Sequence, residues 1–228
     1  MASTRVQVES PVLRTISDFK AKMTGGGARP NLFEVDITGW PGGENMGDFG
    51  NDAKEEFQFL CKAAALPSSN ITPIEVPFRG RTLKVAGDRT FDTWTITIIN
   101  DENFRLRTKF EQWMNGINKL TDGSGATSPT AYMGNAVVHQ LGRGANQGRH
   151  STTNSGTGDG SGGRSDVIPL RTYYFSDIFP TEVSEIGLSY DTTDTIEEFT
   201  VTFQVQYWVA GTNSTNGGPA DQRNIVTR

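Results

Sequence analysis

The stretch EEFTVTFQVQYW, residues 197–208, sets Phe199, Val201, Phe203, Val205 and Tyr207 against Thr200, Thr202, Gln204, Gln206 and Trp208. Strict alternation is the signature of a strand with one buried and one solvated face. Such a strand needs a second layer against its apolar side, so the chain is expected to be built from packed sheet. A second run, AGDRTFDTWTITIIND (86–101), repeats the pattern, with Trp94, Ile96 and Ile98 on one face and Thr95 and Thr97 on the other.

The ends of that second run raise a functional question. Asp88, Arg89 and Asp92 beside a small turn could form a catalytic corner or could fix where the strand begins. The structural reading places Gly87 and Asp88 in a turn, with Arg89 close enough to pair with Asp88 or Asp92. Asn100 or Asp101 then caps the following helix, whose free N–H groups and positive dipole end favour such residues. That helix is predicted from NDENFRLRTKFEQWMNGI, in which Leu106, Phe110, Trp113, Met114 and Ile117 form one apolar stripe.

Other segments extend the pattern. VLRTISDFKAKM (12–23) spaces Val12, Ile16, Phe19 and Met23 as a short helix that ends at the following glycines. NLFEVDI alternates Phe33, Val35 and Ile37 with the acidic Glu34 and Asp36, and EEFQFLCKA alternates Phe57, Phe59 and Cys61; two strands of a long hairpin are expected. Three prolines in ALPSSNITPIEVPFRGRTLKVAGDR predict extended edge segments. AYMGNAVVHQL (131–141) reads as a strand. Residues 142–165, rich in glycine and serine, bury too little to offset chain entropy and are expected to be a flexible insert. The organisation is therefore an N-terminal arm with a short helix (1–27), a β domain (28–210) and a polar tail (211–228).

Composition narrows function. The 228 residues carry a net charge of −5, which argues against a basic surface that grips nucleic acid from outside. One cysteine excludes an intrachain disulfide and fits a reducing compartment. The opening MASTRVQVES has no apolar signal core, and no run is long enough for a membrane span, so an intracellular soluble protein is expected. Two histidines, His139 and His150, and one cysteine are too few for a zinc or iron centre. GTGDGSGG (156–163) lacks the strand and helix of a phosphate loop and the stacked copies of a calcium repeat. Glu55-Glu56 and Glu197-Glu198, being adjacent within expected strands, point to opposite faces and cannot act together. No catalytic residue, metal site or cofactor is expected.

Four stretches carry a resemblance: ARPNLFEVDI (28–37), FQFLCKAAALP (57–67), VPFRGRTLKVAGDRTFDTWTITIINDENFRLRTKFEQW (76–113) and FPTEVSEIGLSYDTTDTIEEFTVTFQVQYW (179–208). Together, and in this order, they resemble the tail tube proteins of contractile-tailed bacteriophages. The resemblance implies a mainly β subunit, sandwich or barrel-like, with one flanking amphipathic helix, whose strands join across subunits into a tube. It implies hexameric rings stacked around a lumen that conducts double-stranded DNA during ejection. The implied partners are further copies, tail sheath, baseplate and tape-measure proteins, in a virion tail assembled in the host cytoplasm. A tube or effector carrier of a related contractile injection system is the alternative. Polar strand positions Glu34, Asp36, Thr95, Thr97, Thr200, Thr202, Gln204 and Gln206 are candidates to face the lumen, where acidic and uncharged walls would let DNA slide without phosphate contacts.

Overall fold

The two regular runs form neighbouring strands. In the computed structural model, which describes residues 14–23, 26–42, 46, 49–66, 68–143 and 169–211, β5 (Trp94–Ile99) pairs antiparallel with β8 (Glu198–Gln204). Trp94, Ile96 and Ile98 of β5 and Phe199, Val201 and Phe203 of β8 are all buried. Aromatic and β-branched side chains suit this half-buried pleated surface.

Five more strands complete the sheet: β1 (Phe33–Gly39), β2 (Cys61–Ala64), β6 (Gly134–Gln140), β7 (Arg171–Val183) and β9 (Tyr207–Gly211). Their order is β1-β6-β7-β8-β5-β2, with β9 also paired to β7. β7 joins the two halves. Its Arg171–Ser176 stretch lies between β6 and β9, whereas Phe179–Val183 pairs with β8. The halves face each other across a core in which the Trp94 ring stacks on Phe175 at 4.6 Å. The architecture is mainly β and sandwich-like, as expected, but the barrel is not closed: β1 and β2 remain the two ends of the sheet.

The predicted amphipathic helix is α3 (Arg105–Ile117), which buries Leu106, Phe110, Trp113 and Gly116. Phe110 and Trp113 each meet the Phe203 ring at 6.0 Å, and Trp113 Nε1 donates to Tyr132 O at 2.7 Å. Tyr132 ends a one-turn helix, α4 (Pro129–Tyr132). The N-terminal helix α1 (Ile16–Lys22) is started by a capping box between Thr15 and Asp18. Its Ile16, Phe19 and Met23 are exposed.

Three expectations are corrected. GNDAKEEFQFL is a helix, α2 (Gly50–Leu60), and only Cys61–Ala64 continues as strand. Ala53 and Phe57, four residues apart, are buried while Phe59 is 72% exposed, so the period that wins is helical. Good helix formers favour this outcome, and Phe57 gains a ring cluster with Phe49 and Phe110. Secondly, EEFTVTFQVQYW is two strands. The chain breaks at Val205-Gln206 and crosses to β7, which leaves Tyr207 exposed instead of in phase with the core.

Thirdly, the proline-bearing segment does form extended chain, but as a separate two-stranded sheet of β3 (Ser69–Phe78) and β4 (Arg81–Phe91). Its turn is Arg79-Gly80, both at positive φ as a tight hairpin turn requires, and not Gly87-Asp88. Val12 of the expected first helix, most of the glycine-rich insert and the tail beyond Gly211 lie outside the described residues. Among the described residues no helix is long and apolar enough to cross a membrane.

Candidate functional site

The suspected corner comes apart in three dimensions. Gly87 and Asp88 lie within β4 where the register shifts: Ile71 faces Arg89 but Pro73 faces Ala86, so the pair bulges opposite Thr72. A Cβ on Gly87 would run into the Thr72 carbonyl, which explains glycine there. Arg89 pairs with neither aspartate. Asp92 instead accepts from the Ser68 hydroxyl and, at 3.2 Å, from Asn70 Nδ2, pinning the hairpin base. Asp88 and Arg89 are exposed.

Asn100 and Asp101 also separate. Asn100 ties the end of β5 to the start of β8, donating from its backbone N to Glu197 O at 2.9 Å and from Nδ2 to Glu197 Oε2 at 3.0 Å. Asp101 does assist the helix start: its Oδ2 accepts from Arg105 N at 3.1 Å. The helix begins four residues later than Asp101, after Phe104 turns the chain at φ 52°.

The polar candidates fall into two groups. Thr95 faces Thr202 and Thr97 faces Thr200 across β5 and β8, so four threonines form one half-buried patch, with Thr95 and Thr202 hydroxyls 3.5 Å apart. Gln204 continues the face beside Phe179 of β7, while Gln206 lies exposed in the strand break. Glu34 and Asp36 sit at the other end of the sheet, on β1. Asp36 is bound to Lys54 at 3.1 Å, with its side chain only 15% exposed. Glu34 faces His139 in register; His139 Nδ1 contacts Thr172 Oγ1 at 3.0 Å. Burial lowers the His139 pKa, and the nearby Glu34 and Asp36 charges oppose this.

Among the described residues no group of three or more metal-ligating side chains comes together. Cys61 is buried and its thiol is pushed up to about 12 by desolvation, which makes it a poor nucleophile.

The most unusual surface was not singled out by the sequence reading. On the β3–β4 hairpin, Ile74 faces Val85, Val76 faces Leu83 and Phe78 faces Arg81. Directly opposed residues share a face, so Ile74, Val76, Phe78, Leu83 and Val85 form one apolar surface, each 44–66% exposed. The other face holds the Lys84–Glu75 pair at 3.4 Å. A two-stranded hairpin is marginal on its own in water. The period-two pattern of both runs was the available signal; the prolines drew attention to edges instead.

Comparison with known proteins accords with this geometry. The model of the phage tail tube protein family matches residues 28–211. The tail tube protein gp19 of Enterobacteria phage T4 is 34% identical over 193 residues, covering 83% of this chain and 95% of that protein. A tail tube protein of Serratia phage KSP90 is 28% identical over 131 residues, 57% of this chain and 71% of that protein. In fold, the chain is similar to a protein of the tube-terminating cap of the anti-feeding prophage, with a TM-score of 0.52 at 12% identity over 92% of this chain and 99% of that one. A protein of the baseplate of the same particle gives 0.51 at 11% identity, over 82% of this chain and 96% of that one. The family match across the whole β domain, with a relative 34% identical over most of the chain, establishes that this chain belongs to the phage tail tube protein family.

Proposed function

We propose that this protein is the structural subunit of a bacteriophage tail tube, self-assembling into stacked hexameric rings whose lumen conducts the genome, and that it catalyses no reaction. The observation that carries this reading is the β3–β4 hairpin, whose apolar face is exposed in the single chain. Burying it against another copy stabilises both, at about 25 cal/mol per Å² of apolar surface removed from water. The open ends of the sheet, β1 and β2, support the same reading. Exposed strand edges pair with other chains, and joining them across subunits into a continuous barrel removes them.

The threonine patch of β5 and β8, continued by Gln204, is the proposed lumen wall, together with the acidic Glu34 at the far end of the sheet. Hydroxyls and carboxylates offer DNA phosphates no cationic contact, so the polymer can pass without being held. Sheath, baseplate and tape-measure proteins are the proposed partners, and the virion tail, assembled in the host cytoplasm, the proposed location. A role in a contractile injection system other than a phage rests on shared fold alone, at 11–12% identity.

Electron microscopy of the purified protein at rising concentration tests the proposal. Tubes of uniform bore, with Thr95, Thr97, Thr200 and Thr202 on the inner wall of a reconstruction, are the expected result. Tubes with those threonines on the outer wall would overturn the lumen assignment, and a monomer at every concentration would overturn the assembly.

A further inference from the structure

Two chemically opposite surfaces leave the sheet at opposite ends of β5. The hairpin departs at the Trp94 end, where Ala65 N donates to Thr95 O at 3.2 Å and Asp92 N to Ser68 O at 3.3 Å. At the other end, Ile99 faces Glu198 and Asn100 is bonded to Glu197. This is the base of the 184–197 loop that connects β7 to β8.

The hairpin carries Arg79, Arg81, Lys84 and Arg89 against Glu75 and Asp88. Lys84 is paired with Glu75, and among the described residues Arg79, Arg81 and Arg89 have no ion-pair partner. The loop has the reverse character. No lysine or arginine occurs between Arg171 and Arg223, and Glu185, Asp191 and Asp194 likewise have no ion-pair partner among the described residues. It is also partly apolar: Leu188 is 79% exposed, Ile196 71%, and Tyr190 fully. These three side chains help line an open cleft of about 570 Å³.

We propose that this cleft, together with the acidic 184–197 loop that forms its rim, receives the apolar face and basic tip of the β3–β4 hairpin of another copy of the chain. The apolar lining takes the apolar face, and the unpaired Asp191 and Asp194 of the loop meet the arginines at the tip. The inference rests on the reading that another copy covers the hairpin, and adds which surface of that copy does so. Both halves of the match are needed. Apolar contact supplies attraction, while opposite charge selects the partner surface and rejects hairpin-to-hairpin or cleft-to-cleft pairing. Because the two surfaces lie at opposite ends of β5, the contact is head to tail. Each copy that docks its hairpin still offers a cleft, so the contact propagates instead of closing on itself as a two-fold dimer would.

Charge exchange tests this. Arg79→Glu with Arg81→Glu, and separately Asp191→Arg with Asp194→Arg, should each abolish tube formation, and all four substitutions in one chain should restore it. Wild-type assembly by either pair, or no recovery in the combined chain when circular dichroism and thermal midpoint match wild type, would overturn the proposal. Should a charge-reversed variant fail to fold, carbodiimide coupling of tubes assembled from an Arg81→Lys chain, mixed from isotopically light and heavy copies, decides. Links from position 81 to Glu185, Asp191 or Asp194 of a different chain support the assignment. Intermolecular links from position 81 only to other surfaces would remove the cleft assignment yet leave the covered hairpin standing. The absence of any intermolecular link from position 81 in formed tubes would count against both.

Discussion

Between Phe91 and Trp94 the chain passes from one physical regime to another. Leu83 on β4 is 62% exposed, whereas Trp94, Ile96 and Ile98 on β5 are fully buried. Both strands alternate apolar and polar residues, yet one face has been given a partner by its own chain and the other has not. The sheet packs against α3 and its own opposite half, so its stability is a property of the single subunit. The hairpin can gain comparable burial only from outside. The difference identifies where folding ends and assembly begins, and substitutions on the two sides of that boundary should affect different measurements.

The largest effect belongs to the core. Trp113→Ala removes a fully buried ring and its hydrogen bond to Tyr132, and should lower the unfolding free energy by about 3–5 kcal/mol in urea titration. A loss below about 1 kcal/mol would mean that the core is less self-sufficient than the contrast requires. Glycine comparison sharpens it. A Cβ at Gly134 would strike Gly39 O and the Trp113 ring, so Gly134→Ala should cost about 1–3 kcal/mol. Gly87→Ala meets a similar obstruction at the hairpin bulge, but should instead alter hairpin shape and reduce tube yield, with the global unfolding midpoint little changed.

Smaller still in the single subunit is Phe78→Ala or Leu83→Ala, expected within about 0.5 kcal/mol of wild type because those side chains are already in water. Each should nevertheless raise the concentration needed for assembly, measured by sedimentation. Equal effects on folding and assembly would erase the proposed boundary.

The smallest effect is a pH slope. His139 binds its proton less readily folded than unfolded, because burial dominates over Glu34 and Asp36. The unfolded chain therefore takes up protons first as pH falls below about 6.5, and stability declines until the folded pKa is passed. His139→Gln should flatten that decline in urea midpoints measured between pH 7 and pH 5.

How much of this was legible in the sequence depended on whether a pattern had one physical solution. The faces of β5 and β8 and the stripe of α3 were readable because Trp94, Ile96, Ile98 and Leu106, Phe110, Trp113 fit one period each. Phe57 did not: it alternates with Phe59 and Cys61 but also lies four residues from Ala53, and only the ring cluster with Phe49 and Phe110 selects the helix. Gly87-Asp88 has turn composition, but Gly87 is required by the close approach of the Thr72 carbonyl at a bulge, a contact hidden until the register with Thr72 was known. The break at Val205-Gln206 carries no glycine or proline and follows from the long strand β7 attracting β9 to its other half. For the candidate site, the threonine patch was legible as a face, but the distance of Glu34 and Asp36 from it was not, because strand order is a non-local property. The apolar face of the hairpin was written in both runs and went unread, since exposure in a single subunit is not a sequence pattern.

Amide hydrogen exchange of the unassembled subunit and of tubes tests the boundary most directly. Protection in β5 and β8 should be high in both states, while β3 and β4 should exchange fast in the subunit and become strongly protected in tubes. Hairpin amides that exchange equally fast in both states would contradict the account.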